Sequence, residues 1–271
     1  MIAHARVPVG EVTLHVATAG EGPPVLLLHG FPDFWYGWRR LIPALRGFRA
    51  IAPDLRGYGE SDRPPRIADY AREKLVGDAV GLLDALGVER AHVVGHDWGG
   101  GLAWWLAEDH PDRVDRLVVI NCPHPGVLSR MMLRSPDQLR RSWYTLFFQL
   151  PGWPEAAVRK NLPRILQGSS NKAFTPEELE AYRRAFEGPL HGPIHWYRAA
   201  ARHPFREPDR IRARTLLLWG ERDVALGPQL VAPTLALCED ARVLRFPDLS
   251  HWPHLDDPAR VNPAIVAFLS P

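Results

Sequence analysis

Lysine is nearly missing from this chain: Lys74, Lys160 and Lys172 are the only three among 33 basic residues. Basic and acidic residues almost balance, at 33 against 31, for a net charge of +2. That balance gives no reason to expect a nucleic-acid partner, which needs a concentrated positive surface. Cysteine is scarce as well, with only Cys122 and Cys238. Two thiols without metal-ligand spacing make neither a disulfide framework nor a zinc site. Both lie beside apolar runs, where a thiol behaves as a small core side chain. No apolar stretch approaches the length of a bilayer span. The first residues, Met1-Ile2-Ala3-His4-Ala5-Arg6, lack the apolar centre of a secretory signal. The expectation is a cytoplasmic protein with no membrane partner. Internal repeats and low-complexity segments are absent too. Proline is the exception to this scarcity. It occurs 27 times in 271 residues, roughly twice the usual ~5%. Much of it falls in loops such as Pro64-Pro65, Pro123 and Pro125, where a fixed φ lowers the entropy of the unfolded chain.

What is present is an alternation of apolar runs and helical patterns. Residues 11–18 alternate and read as an edge strand. Val25 to Leu28 is a solid apolar run, as in a strand buried on both faces. Residues 48–53 form another strand, and 72–86 carry helical spacing that stops at Gly87. Strand 91–95, helix 99–109 and strand 116–121 follow. The pattern predicts a mostly parallel central sheet flanked by helices. The rhythm then changes. Residues 124–211 contain no clear buried strand and read as short helices near 136–150, 154–166, 176–187 and 193–201. One of them opens on a capping box, with Thr175 as N-cap and Glu178 three residues on. Strand character returns at 215–219 and 242–246, with helices near 228–237 and 257–269. The expected organisation is an α/β core in two parts, 1–123 and 212–271, with a helical cap inserted over 124–211.

The chemistry centres on Gly95-His96-Asp97-Trp98-Gly99. It joins a strand to a helix through a turn flanked by small residues, the nucleophile-elbow pattern. Serine hydrolases carry Ser at its centre, whereas this chain carries Asp97. A carboxylate there attacks carbon and leaves an ester on the enzyme. Read alone, the pentapeptide also fits an ordinary strand-to-helix turn with Asp as N-cap. Hydrolysing the ester needs a general base and a carboxylate to orient it. His251 follows strand 242–246 and Asp223 follows strand 215–219. Both are at carboxyl ends, where α/β sheets bind ligands. The order nucleophile, acid, His is that of α/β-hydrolases. His254 and Glu221 are the nearest competitors for base and acid. Asn121 ends another strand but carries no charge, and His96 is expected to pack beneath the elbow. In His29-Gly30-Phe31-Pro32 the loop after strand 25–28 can aim a backbone N–H at the reacting carboxyl. The N–H groups of Phe31 and Trp98 would then form the oxyanion hole.

Through these motifs the chain resembles an α/β-hydrolase of the soluble epoxide hydrolase family over nearly its full length. The matching blocks are His29 to Tyr36, Asp54 to Asp62, Gly95 to Gly100 and Asn121 to Pro125. The resemblance implies the α/β-hydrolase fold with an inserted helical cap. It also implies two cap tyrosines that hold the epoxide oxygen and donate a proton as the ring opens. Ser142-Trp143-Tyr144-Thr145 selects Tyr144, and His195-Trp196-Tyr197-Arg198 selects Tyr197. A phenol suits the task because its reference pKa of about 10 keeps it protonated at neutral pH. The implied reaction converts an epoxide to a vicinal diol through an ester on Asp97, hydrolysed by water that His251 and Asp223 activate. It needs no metal and no organic cofactor. Pro32, Trp98, Phe147, Trp196 and Trp252 are expected to line the pocket, together with Trp143 and Phe148 in the cap. These favour a small-molecule partner, an apolar or aromatic epoxide. A monomer and a homodimer are both compatible with this architecture.

Two other readings share these residues. A haloalkane or fluoroacetate-type haloacid dehalogenase uses the same Asp, His and acid. Phe31 stands where many haloalkane dehalogenases have Asn, and no arginine follows Asp97 to hold a haloacid carboxylate. His195-Trp196-Tyr197 holds residue types suited to a fluoride pocket, but neighbours on a helix diverge by about 100° and cannot all face one ion. A non-catalytic α/β-hydrolase used as a binding protein usually lacks part of the machinery, and none is missing here.

Overall fold

The computed structural model describes residues 1–171, 173–202 and 207–270. Its centre is a sheet of eight strands. In chain order they are β1 (Ala3–Val9), β2 (Val12–Ala19), β3 (Pro24–Leu28), β4 (Arg49–Pro53), β5 (Ala91–His96), β6 (Val114–Ile120), β7 (Arg214–Gly220) and β8 (Ala241–Phe246). In space the order is β1-β2-β4-β3-β5-β6-β7-β8. β1 and β2 are antiparallel, β2 runs antiparallel to β4, and every other pair is parallel. A parallel sheet must be covered on both faces, and the strands alternate accordingly. Leu26, Leu28, Val93, Val119 and Leu217 join one apolar cluster, while Val25, Leu27, Val94, Val118 and Leu218 join the other.

Two long helices belong to the first half of the sheet, α1 (Arg72–Ala85) and α2 (Trp98–Asp109). Leu102 to Ala107 of α2 are all buried, so this helix is apolar on every side, as a helix enclosed by its neighbours must be. Between β6 and β7 the chain leaves the sheet and forms helices: α3 (Pro125–Arg134), α4 (Pro136–Arg141), α5 (Trp143–Phe147), α6 (Trp153–Ser169), α7 (Pro176–Ala185) and α8 (His191–Arg202). The expected cap range 124–211 includes residues 172 and 203–206, and the expected second core part includes residue 271; these lie outside the described residues. α9 (Val231–Leu235), α10 (Pro253–Asp256) and α11 (Pro258–Leu269) complete the fold. The capping box at Thr175 and Glu178 is formed.

Two departures from the expected order have a common cause. β1 is absent from the sequence reading, and β2, read there as the edge, is the second strand. Six of the seven β1 residues are exposed or half-buried. A strand with one neighbour and little burial leaves no hydropathy pattern to find. The helix expected over 136–150 is two short ones, because Ser142 interrupts it as the C-cap of α4.

Polar pairs lock the loops around the sheet. Arg56 is buried and bonds Asp78 through both Nε and Nη2, each at 2.6 Å. Asp54 accepts from the backbone N–H of Trp35 and Glu60 and pairs with the His15 ring. The block 54–62 is thus structural. Asp78→Ala would leave the Arg56 charge buried and unpaired, which costs about 3–5 kcal/mol. Urea unfolding of the variant should show that loss, whereas Arg183→Ala on the exposed face of α7 should change stability by no more than about 0.5 kcal/mol.

Candidate active site

The elbow begins with geometry that few residues tolerate. Asp97 has φ +50° between β5 and α2, in the left-handed region where a side chain is strained. Missing side chains around it make room. A Cβ on Gly30 would collide with the Asp97 side chain, and one on Gly99 with the carbonyls of Leu28 and His29. β3 and β5 are neighbours, with Leu28 opposite Gly95, and the chain crosses from one half of the sheet to the other between them. Open α/β sheets bind ligands at such a switch point.

Register brings the remaining groups to the same sheet end. His96 lies opposite Ile120, Ile120 opposite Leu218, and Gly220 opposite Phe246. The loops beyond these residues therefore start side by side. His251 Nδ1 and Asp223 Oδ2 are 2.6 Å apart, and His251 Nε2 lies 3.5 Å from Asp97 Oδ2. Asp97 Oδ1 accepts the Phe31 N–H at 2.7 Å. Trp98 opens α2, where backbone N–H groups have no partner within the helix.

The charges support one another. Burial alone would raise the Asp97 carboxyl, but the adjacent His251 outweighs it and holds the group below its usual range. Asp223 is likewise pushed up by burial and brought below its ordinary value by His251 and by the Asn121 amide. Burial disfavours the charge on His251, yet Asp223 and then Asp97 raise it to about 10. The resting site is a carboxylate, an imidazolium and a second carboxylate.

Asn121, set aside in the sequence for its lack of charge, and His96, expected beneath the elbow, hold this row in place. Asn121, at φ +42°, donates from Nδ2 to Asp223 Oδ2 at 2.8 Å and to the Gly220 carbonyl. Its Oδ1 accepts the Gly220 N–H. Its lack of charge removed it as an acid but is what lets it brace one. The backbone N–H groups of Ala225 and Leu226 fill Asp223 Oδ1. His96 is fully buried, and burial lowers its ring to about 3. Nε2 therefore carries the proton that binds the His251 carbonyl at 2.8 Å. His254 is buried against Trp38 and His96, away from Asp97. Glu221 pairs with Arg245. Neither competitor reaches the site.

Two cavities meet at Asp97. One of about 330 Å³ runs among Leu128, Met132, Leu146 and Leu226. The other, of about 480 Å³, runs among Pro32, Phe147, Phe148, Val158 and Ile165, and includes His251. Tyr144 and Tyr197 wall both, with ring centroids 5.9 Å apart. Burial pushes both phenols well above their ordinary pKa, and the Asp97 charge adds to it. Trp98 lines the first cavity. Two expected pocket residues do not reach either. Trp196 is buried and spends its indole N–H on the Arg56 carbonyl, facing a separate cavity of about 400 Å³ behind Trp98. Trp252 is fully buried beside His96 and donates to Ser169 Oγ. Tryptophan type alone does not say on which side of a wall the ring stands. His195 bonds the Pro65 carbonyl, so of His195, Trp196 and Tyr197 only the last faces Asp97. Among the described residues no three His, Cys, Asp or Glu side chains converge as a metal site.

The sequence matches the α/β hydrolase fold family over residues 23–258, and the chain belongs to that family. It is 39% identical to AB hydrolase superfamily protein YfhM of Bacillus subtilis (strain 168), over 95% of this chain and 94% of that protein. It is 38% identical to epoxide hydrolase 4 of Mus musculus, over 98% of this chain and 79% of that protein. A solved structure described among novel epoxide hydrolases in metagenomes from hot environments superposes with a TM-score of 0.89. The two are 30% identical and cover 100% and 99% of each other. The epoxide hydrolase of Bacillus megaterium in complex with an inhibitor also gives a TM-score of 0.89. There the identity is 27%, over 98% of this chain and 99% of that one.

The raised His251 pKa has a consequence for stability. Its charged form is favoured by folding, so the stabilisation is complete below the unfolded value of about 6.5 and is lost as pH rises through about 10. Urea unfolding should show stability falling between about pH 7 and 10, and His251→Gln should flatten that limb. An equally steep limb in the variant would mean that His251 is not the group responsible.

Proposed function

We propose that this protein is an epoxide hydrolase that forms a vicinal diol through an ester on Asp97. The observation that carries the reading is the pairing of an ionised Asp97, next to His251 and Asp223, with two protonated phenols, Tyr197 buried and Tyr144 half-buried, on the walls of the same cavities. The names of the similar proteins support the same chemistry. The helices of residues 124–211 act as the cap that brings both phenols over Asp97.

In the first step an Asp97 oxygen attacks an epoxide carbon and the carbon–oxygen bond of the ring breaks. Tyr144 and Tyr197 hydrogen-bond the ring oxygen and supply its proton. The phenol that gives it up is replenished by the proton His251 carried at rest, which leaves His251 neutral. Ester formation also removes one of the two carboxylates that favoured the imidazolium, so His251 becomes a base when one is needed. In the second step His251 takes a proton from water as the oxygen attacks the ester carbon. The oxyanion develops on the Asp97 carboxyl within reach of the Phe31 and Trp98 N–H groups. Collapse breaks the bond between the ester carbon and the substrate oxygen, the leaving oxygen takes the remaining proton of the added water, and the diol departs from a carboxylate beside the imidazolium. The cavity walls suit an epoxide with apolar or aromatic substituents.

Asp97→Ala should abolish turnover, and full activity in that variant would defeat the scheme. Tyr144→Phe combined with Tyr197→Phe should slow ring opening by at least about 10²-fold, the usual worth of a general acid, in single-turnover kinetics. The identity of the substrate is tested with His251→Gln, which should strand the ester. Intact mass after styrene oxide should rise by the whole epoxide mass, with no adduct from bromoacetate or 1-bromobutane. A gain equal to a bromide less HBr, mapped to Asp97, would instead make the protein a dehalogenase.

A further inference from the structure

Large apolar side chains left in water are concentrated on one part of the molecule. Leu133 is 89% exposed, Trp153 74% and Trp143 62%, and Leu139, Leu146 and Leu150 are exposed with them. All six fall between α3 and the first turn of α6, where α3 packs on α4 and α4 on α5. Elsewhere among the described residues only Met1, Val224 and Leu244 are large, apolar and exposed. Single exposed apolar residues need no explanation, but a concentration of them marks an interaction surface.

The same stretch holds the positive charge. Between residues 125 and 171, seven basic residues stand against Asp137 and Glu155. That surplus of five exceeds the +2 of the whole chain, so the rest of the molecule is net negative. Arg134, Lys160 and Arg164 are exposed. The two cavities that meet at Asp97 are walled by the same helices. Met132 and Leu146 line one, and Trp143 and Arg164 line the other.

We propose that this face docks on an anionic phospholipid bilayer, so that an apolar epoxide dissolved in lipid enters the cavities without crossing water. Exposed tryptophans and leucines suit the headgroup boundary, and arginines between them suit anionic headgroups. A second copy of the chain fits less well, because a two-fold contact would press the same positive patch against itself. The expected lack of a membrane partner rested on the absence of a spanning segment, and surface docking needs none. Delivery of an epoxide rests on the function proposed above; docking does not.

The test is co-sedimentation of the full chain with vesicles of phosphatidylcholine and phosphatidylglycerol, mixed about 7:3, and with phosphatidylcholine alone. The protein should bind the mixed vesicles, bind the neutral ones several-fold less, and be released by high salt as the charges are screened. A variant carrying Leu133→Ser, Leu150→Ser and Trp153→Ser, all outside the cavity walls, should lose about tenfold or more in partition. Its melting temperature and its turnover of a water-soluble epoxide should be unchanged. Absence of wild-type binding, or equal binding by the triple variant, would overturn the proposal. So would a dimer in analytical ultracentrifugation that the triple variant abolishes while vesicles bind nothing. If the wild type binds vesicles yet opens no epoxide, docking stands and the epoxide reading fails.

Discussion

Turning the chain from β5 into α2 at a residue that must present a carboxylate requires a backbone conformation that side chains resist. Asp97 adopts it at φ +50°, and the cost is tolerable only because neighbouring positions carry no Cβ. Gly30, Gly95 and Gly99 each sit where a methyl group would strike backbone or the Asp97 side chain itself. This close approach also brings the loop after β3 within 2.7 Å of the carboxylate, through the Phe31 N–H. One steric constraint thus sets both the position of the Asp97 carboxylate and its first hydrogen-bond donor.

The row of alternating charge depends on that position. An isolated carboxylate in so enclosed a place would tend to take up a proton. Here His251 stands between Asp97 and Asp223 and stabilises both, and they in turn hold its proton. The arrangement needs every member to be fixed. Asn121 and two backbone N–H groups brace Asp223, while His96 holds the His251 carbonyl from below. Such a network is worth having only when fully satisfied, which explains the large share of neutral donors around three charged groups.

The inserted helices are tied to the core by groups with nothing to do with chemistry. Tyr182 donates to buried Asp33 at 2.7 Å, and Arg39 and Arg40 both bond Glu178. Arg141 donates to the Asp223 carbonyl, so the insertion touches the charge row directly. Burial pushes Asp33 up to about 7, although the Tyr182 hydroxyl and the Phe34 N–H that donate to it pull the other way. Through these contacts Tyr144 and Tyr197 hang over Asp97 while the outer face of the same helices stays apolar and basic.

The sequence determined much of this unaided. Strand-by-strand alternation, the elbow pentapeptide and the order Asp97, Asp223, His251 were legible because each rests on local spacing and on chain order, both written along one dimension. It failed at β1, whose exposed residues carry no pattern, and at Trp196 and Trp252, which belong to the structure behind the walls. It passed over Asn121, because bracing is a matter of distance between residues 102 positions apart. The tertiary structure alone decided which side each aromatic ring faces, which polar groups find partners, and how far the charges lie from one another. Those quantities depend on sheet register and helix packing, sums of many weak contacts that no short segment contains.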